Sequence, residues 1–261
     1  MYIHPTACID CSAKLAEDIW IGPYVVIEAG VTLGSGCRIH AHAVLNQHVI
    51  MGDNNEVHPH AVLGGLPQDL GFNPQTLSYL EIGSGNVFRE GVTVSRATRE
   101  GGATRIGSFN YLMNNTHVAH DCQLGDHNIM ASGATLGGHV VVGDRVFFGG
   151  GVMVHQFCRI GSLAMLQGLA GINKDALPYT MIGGRPGKHY RLNLVGLRRA
   201  GVSSEGIRSL SAAFRRLRQQ RDFDGLTDTN ELTALKHWLE SPSKRGGYLG
   251  FVEINRDNKT E

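Results

Sequence analysis

The chain has 261 residues, with 35 glycines, 18% charged residues, 7% aromatic residues and a formal net charge of +1. The glycines follow no strict three-residue period, which excludes a collagen-like rod, and 42% hydrophobic residues with so little net charge exclude a disordered chain. No apolar run reaches the roughly 20 residues of a membrane helix, Met1–Thr6 show no secretory leader, and an odd five cysteines fit a reducing compartment. A cytoplasmic protein that does not bind nucleic acid is therefore expected.

Stepping by six from Ile3 reads Ile3, Ile9, Leu15, Ile21, Ile27, Leu33, Ile39, Leu45, Met51, Val57 and Leu63. The phase resumes at Ile82, Phe88 and Val94, and again from Ile106 through Leu112 and Val118 to Ile172, so that all twenty-six slots hold Leu, Ile, Val, Met or Phe. Four residues further on, the slot often holds a small residue, as at Ala7, Cys37, Cys122, Ala134, Cys158 and Ala164. The slot directly after the large residue is often glycine, as at Gly22, Gly34, Gly107 and Gly125. A period of six is neither helical nor a plain alternating strand, and hexapeptide repeats form a parallel β-helix of short strands and corners. Three hexads make a triangular coil of 18 residues, and about ten such coils fit between 3 and 177. Large side chains fill the axis, small ones the second inward slot, and glycine is expected to relax the backbone near corners.

Two excursions break the phase, one at 64–80 with Pro67, Gly71, Asn73 and Pro74, and a shorter one at 97–105. Loops leaving a rigid scaffold usually carry function. The hexads stop after Pro178, and Gly183-Gly184-Arg185-Pro186-Gly187 is a breaker cluster. The spacing of Leu194 and Leu197, then Ile207, Leu210, Phe214 and Leu217, then Leu232, Leu235, Trp238 and Leu239 predicts helices, with Ser203 or Ser204 capping the second. A β-helix over 1–187 followed by an α-helical segment over 188–261 is the expected organisation. Residues 1–187 carry 10 basic and 14 acidic side chains, residues 188–221 carry 9 and 1, and residues 222–261 carry 5 and 8, so the start of the helical segment is a basic patch of net +8. Such a patch suits an acidic partner or phosphates.

The 18-residue coil converts sequence into geometry, because residues 18 apart stack about 5 Å apart. His120 then lies below Gly138 and Gln156, and Asp121 below His139 and Phe157, with His117 and His155 flanking. None occupies the two inward slots. A neutral imidazole suits general-base work, a neighbouring carboxylate holds its tautomer, and a glycine N–H one coil away supplies an oxyanion donor. This is an acyl-transfer constellation. A zinc site competes with it, because histidine clusters also bind metals.

The runs His117-Val118-Ala119-His120-Asp121-Cys122, Gly138-His139-Val140 and Val154-His155-Gln156-Phe157-Cys158, together with Pro67-Gln68-Asp69-Leu70, Phe88-Arg89-Glu90 and Asn193 through Gly201, resemble the hexapeptide-repeat acyltransferases that acylate UDP-N-acetylglucosamine from acyl carrier protein. The similarity covers nearly the whole chain. It implies a mainly β fold, a left-handed parallel β-helix with a C-terminal α-helical domain, assembled as a homotrimer with active sites between subunits. It implies transfer of a (3R)-hydroxyacyl chain to the sugar 3-position, the first step of lipid A biosynthesis. No cofactor is implied beyond the 4'-phosphopantetheine of the carrier, and no metal. By position, His120 would be the base, Asp121 its orienter and Gly138 the oxyanion donor. Gln68, Asp69, His117, His139, His155 and Gln156 would contact nucleotide sugar or donor, Asn193 and Arg199 the nucleotide, and Leu70, Met165 and Gly168 the acyl channel. The basic patch would steer the acidic carrier.

The chain also departs from the family pattern. A Lys-Tyr pair of the insertion is Gly71-Phe72, a His-Arg-Gly-Thr block is Ser95-Arg96-Ala97-Thr98, and a Glu and a second Arg near the nucleotide are Val195 and Ala200. The Gly71-Phe72 variant also resembles relatives that acylate a 3-amino-3-deoxy sugar nucleotide to form an amide. A zinc-dependent carbonic anhydrase of the same fold and a non-catalytic scaffold are further readings. An N-acyltransferase of the next lipid A step fits less well, because such enzymes carry a domain ahead of the hexads and here the hexads begin at Ile3. Cys8 and Cys11 have metal-pair spacing without a second pair, and His40, His42, His58 and His60 read as surface imidazoles.

Overall fold

Each hexad folds as a two-residue strand and a corner, as at Trp20–Ile21, Val26–Ile27 and Thr32–Leu33. The computed structural model describes residues 1–252. Its strands form three sheets of eleven, nine and eight members, the first starting at Tyr2–Ile3, the second at Cys8–Ile9 and the third at Lys14–Leu15. Pairing is parallel with the 18-residue register, Tyr2 against Trp20, Cys8 against Val26 and Lys14 against Thr32. The result is a left-handed parallel β-helix. Its axis is filled by the large slots, with Ile21, Ile39, Val57, Phe88, Leu112, Met130, Phe148 and Leu166 stacked in one column. At roughly 25 cal/mol per Å² of apolar surface removed from water, this continuous core is the main stabilising term.

The glycines after the large slots do not relax corners, contrary to the expectation from sequence. Gly34, Gly107 and Gly125 carry no positive φ, and a Cβ on Gly34 would sit 2.7 and 2.8 Å from the carbonyl carbon and oxygen of Gly52 in the next coil. Close approach of neighbouring coils excludes a side chain there. The left-handed backbone falls two residues later and is mostly taken by other residues, including His42, His60, Asp121, His139 and Phe157. Asp and His tolerate that region better than bulky or β-branched residues.

Where the small inward slot holds asparagine, the side chains form a ladder. Asn55 Oδ1 accepts from Asn86 N at 2.9 Å, Asn86 Oδ1 from Asn110 N at 2.8 Å, Asn110 Oδ1 from Asn128 N at 2.8 Å and Asn128 Oδ1 from Val146 N at 2.8 Å. These buried polar groups satisfy backbone donors that turn inward at the corner between the third and first sheets.

Lys188–Leu192 pairs antiparallel with Thr180–Gly183 on the first sheet. Three helices follow, α1 (Leu194–Arg199), α2 (Ser204–Arg218) and α3 (Asn230–Glu240). The Ser203 hydroxyl caps α2 by accepting from Gly206 N at 3.0 Å. Leu197, Leu210, Phe214, Leu232 and Leu235 pack with Leu177 and Tyr179 against the last coil. Two polar anchors bind this segment down. The Arg159 guanidinium donates to the fully buried Asp175 at 2.7 Å and lies 4.4 Å from the Trp238 ring centre. Buried His189 accepts from Leu177 N at 2.9 Å through Nε2, which leaves Nδ1–H to donate to Leu249 O at 2.9 Å.

Burial pushes the His189 imidazole from 6.5 down to about 4, outweighing the opposing pull of its backbone partners. The unfolded chain takes up a proton in that window and the folded chain does not, so stability is complete above pH 6.5 and falls as pH drops toward 4. The loss is about 3 kcal/mol across the window. Urea midpoints between pH 7 and pH 4.5 should show this fall, and His189→Gln, which keeps one donor and one acceptor, should flatten it. Equal slopes in the two proteins would contradict the assignment.

Candidate active site

The edge between the second and third sheets carries the catalytic candidates. The strand His117–Val118 of the second sheet turns through residues 119–122 into Gln123–Leu124 of the third. His120 and Asp121 stand on that corner, with Gly138 and His139 one coil on and Gln156 and Phe157 two coils on. Backbone bonds from His139 N to His120 O and from Phe157 N to Gly138 O, both 3.0 Å, fix the coils against one another.

His120 Nδ1 lies 2.8 Å from Asp121 Oδ2, and both side chains are mostly buried. The carboxylate also accepts from Thr98 Oγ1 at 2.7 Å and Thr98 N at 3.2 Å, while Asp121 N donates to Thr104 Oγ1 at 2.8 Å. Burial is the largest influence on this carboxyl and raises its pKa, but the Thr98 and His120 hydrogen bonds together hold it below the ordinary carboxylate range. Asp121 is therefore ionised at neutral pH and keeps the His120 proton on Nδ1, leaving the Nε2 lone pair free to take a proton. The His139 ring meets His120 edge-on at 5.2 Å and stacks on Phe157 at 4.6 Å, and Lys244 Nζ lies 5.4 Å from the Phe157 ring centre. Burial lowers the pKa of both His117 and His139, and His117 Nδ1 is 2.8 Å from Thr93 Oγ1.

Gly138 is buried, and among the described residues its N–H has no hydrogen-bond partner. A Cβ there would lie 2.6 Å from His120 Cε1 and 2.8 Å from Nε2. Glycine is required at this position so that the imidazole fits beneath it. An unpartnered donor beside a base with a free lone pair is the geometry that addition to a carbonyl needs.

The other expected residues fall in three places. His155 and Gln156 are exposed one coil beyond Gly138. Gln68, Asp69 and Leu70 are exposed on the first excursion, which leaves from the same edge, and among the described residues none of them hydrogen-bonds to the His120 column. That excursion spans 66–78 and the second 96–102, because the strands Val62–Gly65, Tyr79–Ile82 and Ala103–Ile106 extend into the 64–80 and 97–105 spans and pair with their neighbours. Arg96 anchors the first excursion by donating to Pro74 O at 3.0 Å and lying 5.6 Å from the Phe72 ring centre.

Met165, Asn193 and Arg199 sit elsewhere, in an open pocket of about 550 Å³ on the first sheet that they line with Arg145, Arg191 and Phe147. Gly168 lies on the corner between the first and second sheets. A single chain therefore does not unite His120 with these residues. Sequence reasoning missed Thr98, Thr104, Arg145, Arg191 and Lys244. Only Thr98 carried a signal, being retained in a block whose first and third positions depart from the family pattern.

The family model for UDP-N-acetylglucosamine O-acyltransferase domain 2 matches residues 175–255, and the bacterial transferase hexapeptide model matches 12–47 and 103–138. The acyl-[acyl-carrier-protein]–UDP-N-acetylglucosamine O-acyltransferase of Halorhodospira halophila is 44% identical over 252 residues, covering 96% of both chains. The chain belongs to this acyltransferase family. The enzyme of the same name from Alkalilimnicola ehrlichii is 49% identical over 214 residues, covering 82% of this chain and 83% of that one. Among solved structures, the UDP-N-acetylglucosamine O-acyltransferase of Moraxella catarrhalis superposes with a TM-score of 0.81 at 38% identity over 92% of each chain. The UDP-N-acetylglucosamine acyltransferase of Bacteroides fragilis gives 0.87 at 32% identity, covering 96% of this chain and all of that one.

As a member of this acyltransferase family, the chain should be intolerant of any side chain over His120. Gly138→Ala should lower kcat by on the order of 10²-fold or more by displacing the imidazole, with circular dichroism and melting temperature little changed. Near-normal turnover in that variant would remove Gly138 and His120 from the catalytic centre.

Proposed function

We propose that the chain transfers a (3R)-hydroxyacyl group from the phosphopantetheine thiol of acyl carrier protein to the 3-hydroxyl of UDP-N-acetylglucosamine, the opening reaction of lipid A biosynthesis. The His120–Asp121 pair with the unpartnered Gly138 N–H above it carries this reading. His120 Nε2 takes the 3-hydroxyl proton as the sugar oxygen attacks the thioester carbonyl carbon. Asp121 stabilises the resulting imidazolium. The Gly138 N–H donates to the oxyanion of the tetrahedral intermediate, which collapses to the ester and expels the pantetheine thiolate. The imidazolium returns its proton to that sulfur, so the base is regenerated.

The pocket of Arg145, Arg191, Asn193 and Arg199 suits a nucleoside diphosphate. Three guanidiniums there offset the family arginine that is Ala200 in this chain. Because this pocket and the His120 edge lie on different parts of one prism, a substrate touching both needs a second copy to bring its pocket to the edge. That requirement supports a closed ring of three copies, with the exposed Ile129, Phe147 and Leu70 at or near the contacts and Leu70, Met165 and Gly168 along the acyl path. Gln68, Asp69, His117, His139, His155 and Gln156 then surround the sugar and the donor, with Lys244 nearby. Arg198, Arg208, Arg215 and Arg216 on α1 and α2 form the dock for the acidic carrier. Among the described residues no helix is long and apolar enough to cross a membrane, which is consistent with action in the cytoplasm.

His120→Gln should reduce transfer by about 10²–10⁴-fold without changing the sedimentation of the assembly. Retained transfer would overturn the assignment of the base. Offering 3-hydroxy and 3-amino sugar nucleotides side by side, with carrier donors of several chain lengths, should show ester formation dominating. Preferential amide formation would move the acceptor to the 3-amino sugar.

A further inference from the structure

A second cluster of ligating side chains lies on the first sheet, several coils before the catalytic column and formed by strands that contribute nothing to it. His40 and His58 follow paired strands, Arg38–Ile39 and Glu56–Val57, so their imidazoles stack at 4.9 Å. Both rings present Nε2 to one carboxylate oxygen, Glu56 Oε1, at 2.7 Å from His40 and 3.5 Å from His58. His58 Nδ1 faces a second carboxylate, Glu90 Oε1, at 3.3 Å, and Glu90 is held in turn by Arg89 at 3.0 Å.

A neutral His58 has one N–H and cannot serve both carboxylates. If Nδ1–H donates to Glu90, the Nε2 lone pair points at another acceptor, and a cation between them relieves the repulsion. A tetrahedral metal with bonds of about 2.0–2.1 Å separates its ligand atoms by roughly 3.3 Å. The observed 2.7 and 3.5 Å bracket that spacing, and the three ligand atoms all lie within 4.8 Å of one another. A carboxylate on the far nitrogen of a ligating histidine is the usual outer arrangement around zinc.

We propose that His40, Glu56 and His58 bind a divalent transition-metal ion of the zinc class, with Glu90 orienting His58 and water filling the fourth position. The catalytic cluster of His120, Asp121 and His139 also brings three ligand atoms together. Its carboxylate, however, already accepts from Thr98 N, Thr98 Oγ1 and His120. Among the described residues Glu56 meets only the two imidazoles and keeps Oε2 open. Two imidazoles and one carboxylate select zinc, cobalt or nickel over magnesium or calcium. The ion would fasten adjacent coils and stabilise the folded chain by mass action.

Titrating the intact, metal-stripped protein with Co²⁺ tests this directly. The expected result is one ion per chain, visible absorption of a tetrahedral site, and quenching of Trp20, whose ring centre lies 5.3 Å from that of His40. Zn²⁺ should displace the cobalt and raise the melting temperature. His58→Gln and the isosteric Glu56→Gln should each weaken uptake at least tenfold while acyl transfer persists, and His139→Gln should leave uptake intact. No stoichiometric uptake, uptake unchanged in both His58→Gln and Glu56→Gln, or uptake lost only in His139→Gln would each overturn the site.

Discussion

Stacking one coil on the next through parallel backbone hydrogen bonds, at a spacing of about 4.8 Å, constrains everything else in the molecule. With so short a rise, each residue meets its counterpart 18 positions away almost directly. A glycine such as Gly34 is needed where two backbones converge, although its own φ is ordinary. A column of asparagines can bond from one coil to the next because each amide sits one rise from its neighbour. The candidate site is assembled in the same way: His120, Gly138 and Gln156 form one column and Asp121, His139 and Phe157 another. No helix packing or domain closure is needed to bring His120, Asp121 and Gly138 together.

That economy has a limit. A prism presents separate edges and faces, and a column on one edge cannot reach a pocket on another face. The guanidiniums of Arg145, Arg191 and Arg199 are gathered on the first sheet, whereas His120 stands between the second and third. The proposed assembly of several copies would supply what one solenoid lacks. It would also give the exposed apolar side chains of the first sheet a purpose beyond the single chain.

The repeat was legible because its signal is dense: a large apolar residue every sixth position over most of the chain admits one architecture. The stacking of His120, Asp121, Gly138 and His139 followed by arithmetic alone. The reason for glycine after many of the large slots is not legible in the sequence, because the period does not show where a corner turns or which atoms of the next coil crowd it. Thr98 escaped notice because its contact with Asp121 depends on how an irregular excursion returns to the stack. Arg145 and Arg191 escaped because they flank Asn193 and Arg199 only when the last strand doubles back antiparallel. His40 and His58 read as separate surface imidazoles, since a residue's own hexad does not reveal which carboxylates the next coil places beside it.

Both excursions leave from the edge that carries His120, and their returning strands, Tyr79–Ile82 and Ala103–Ile106, pair with each other. Each excursion re-enters the stack in register, so its length can change without altering any coil above or below. The prism can therefore keep its stacking while the loops beside His120 and Asp121 are lengthened, shortened or exchanged. New acceptors can be explored in this way without repeating the search for a stable fold.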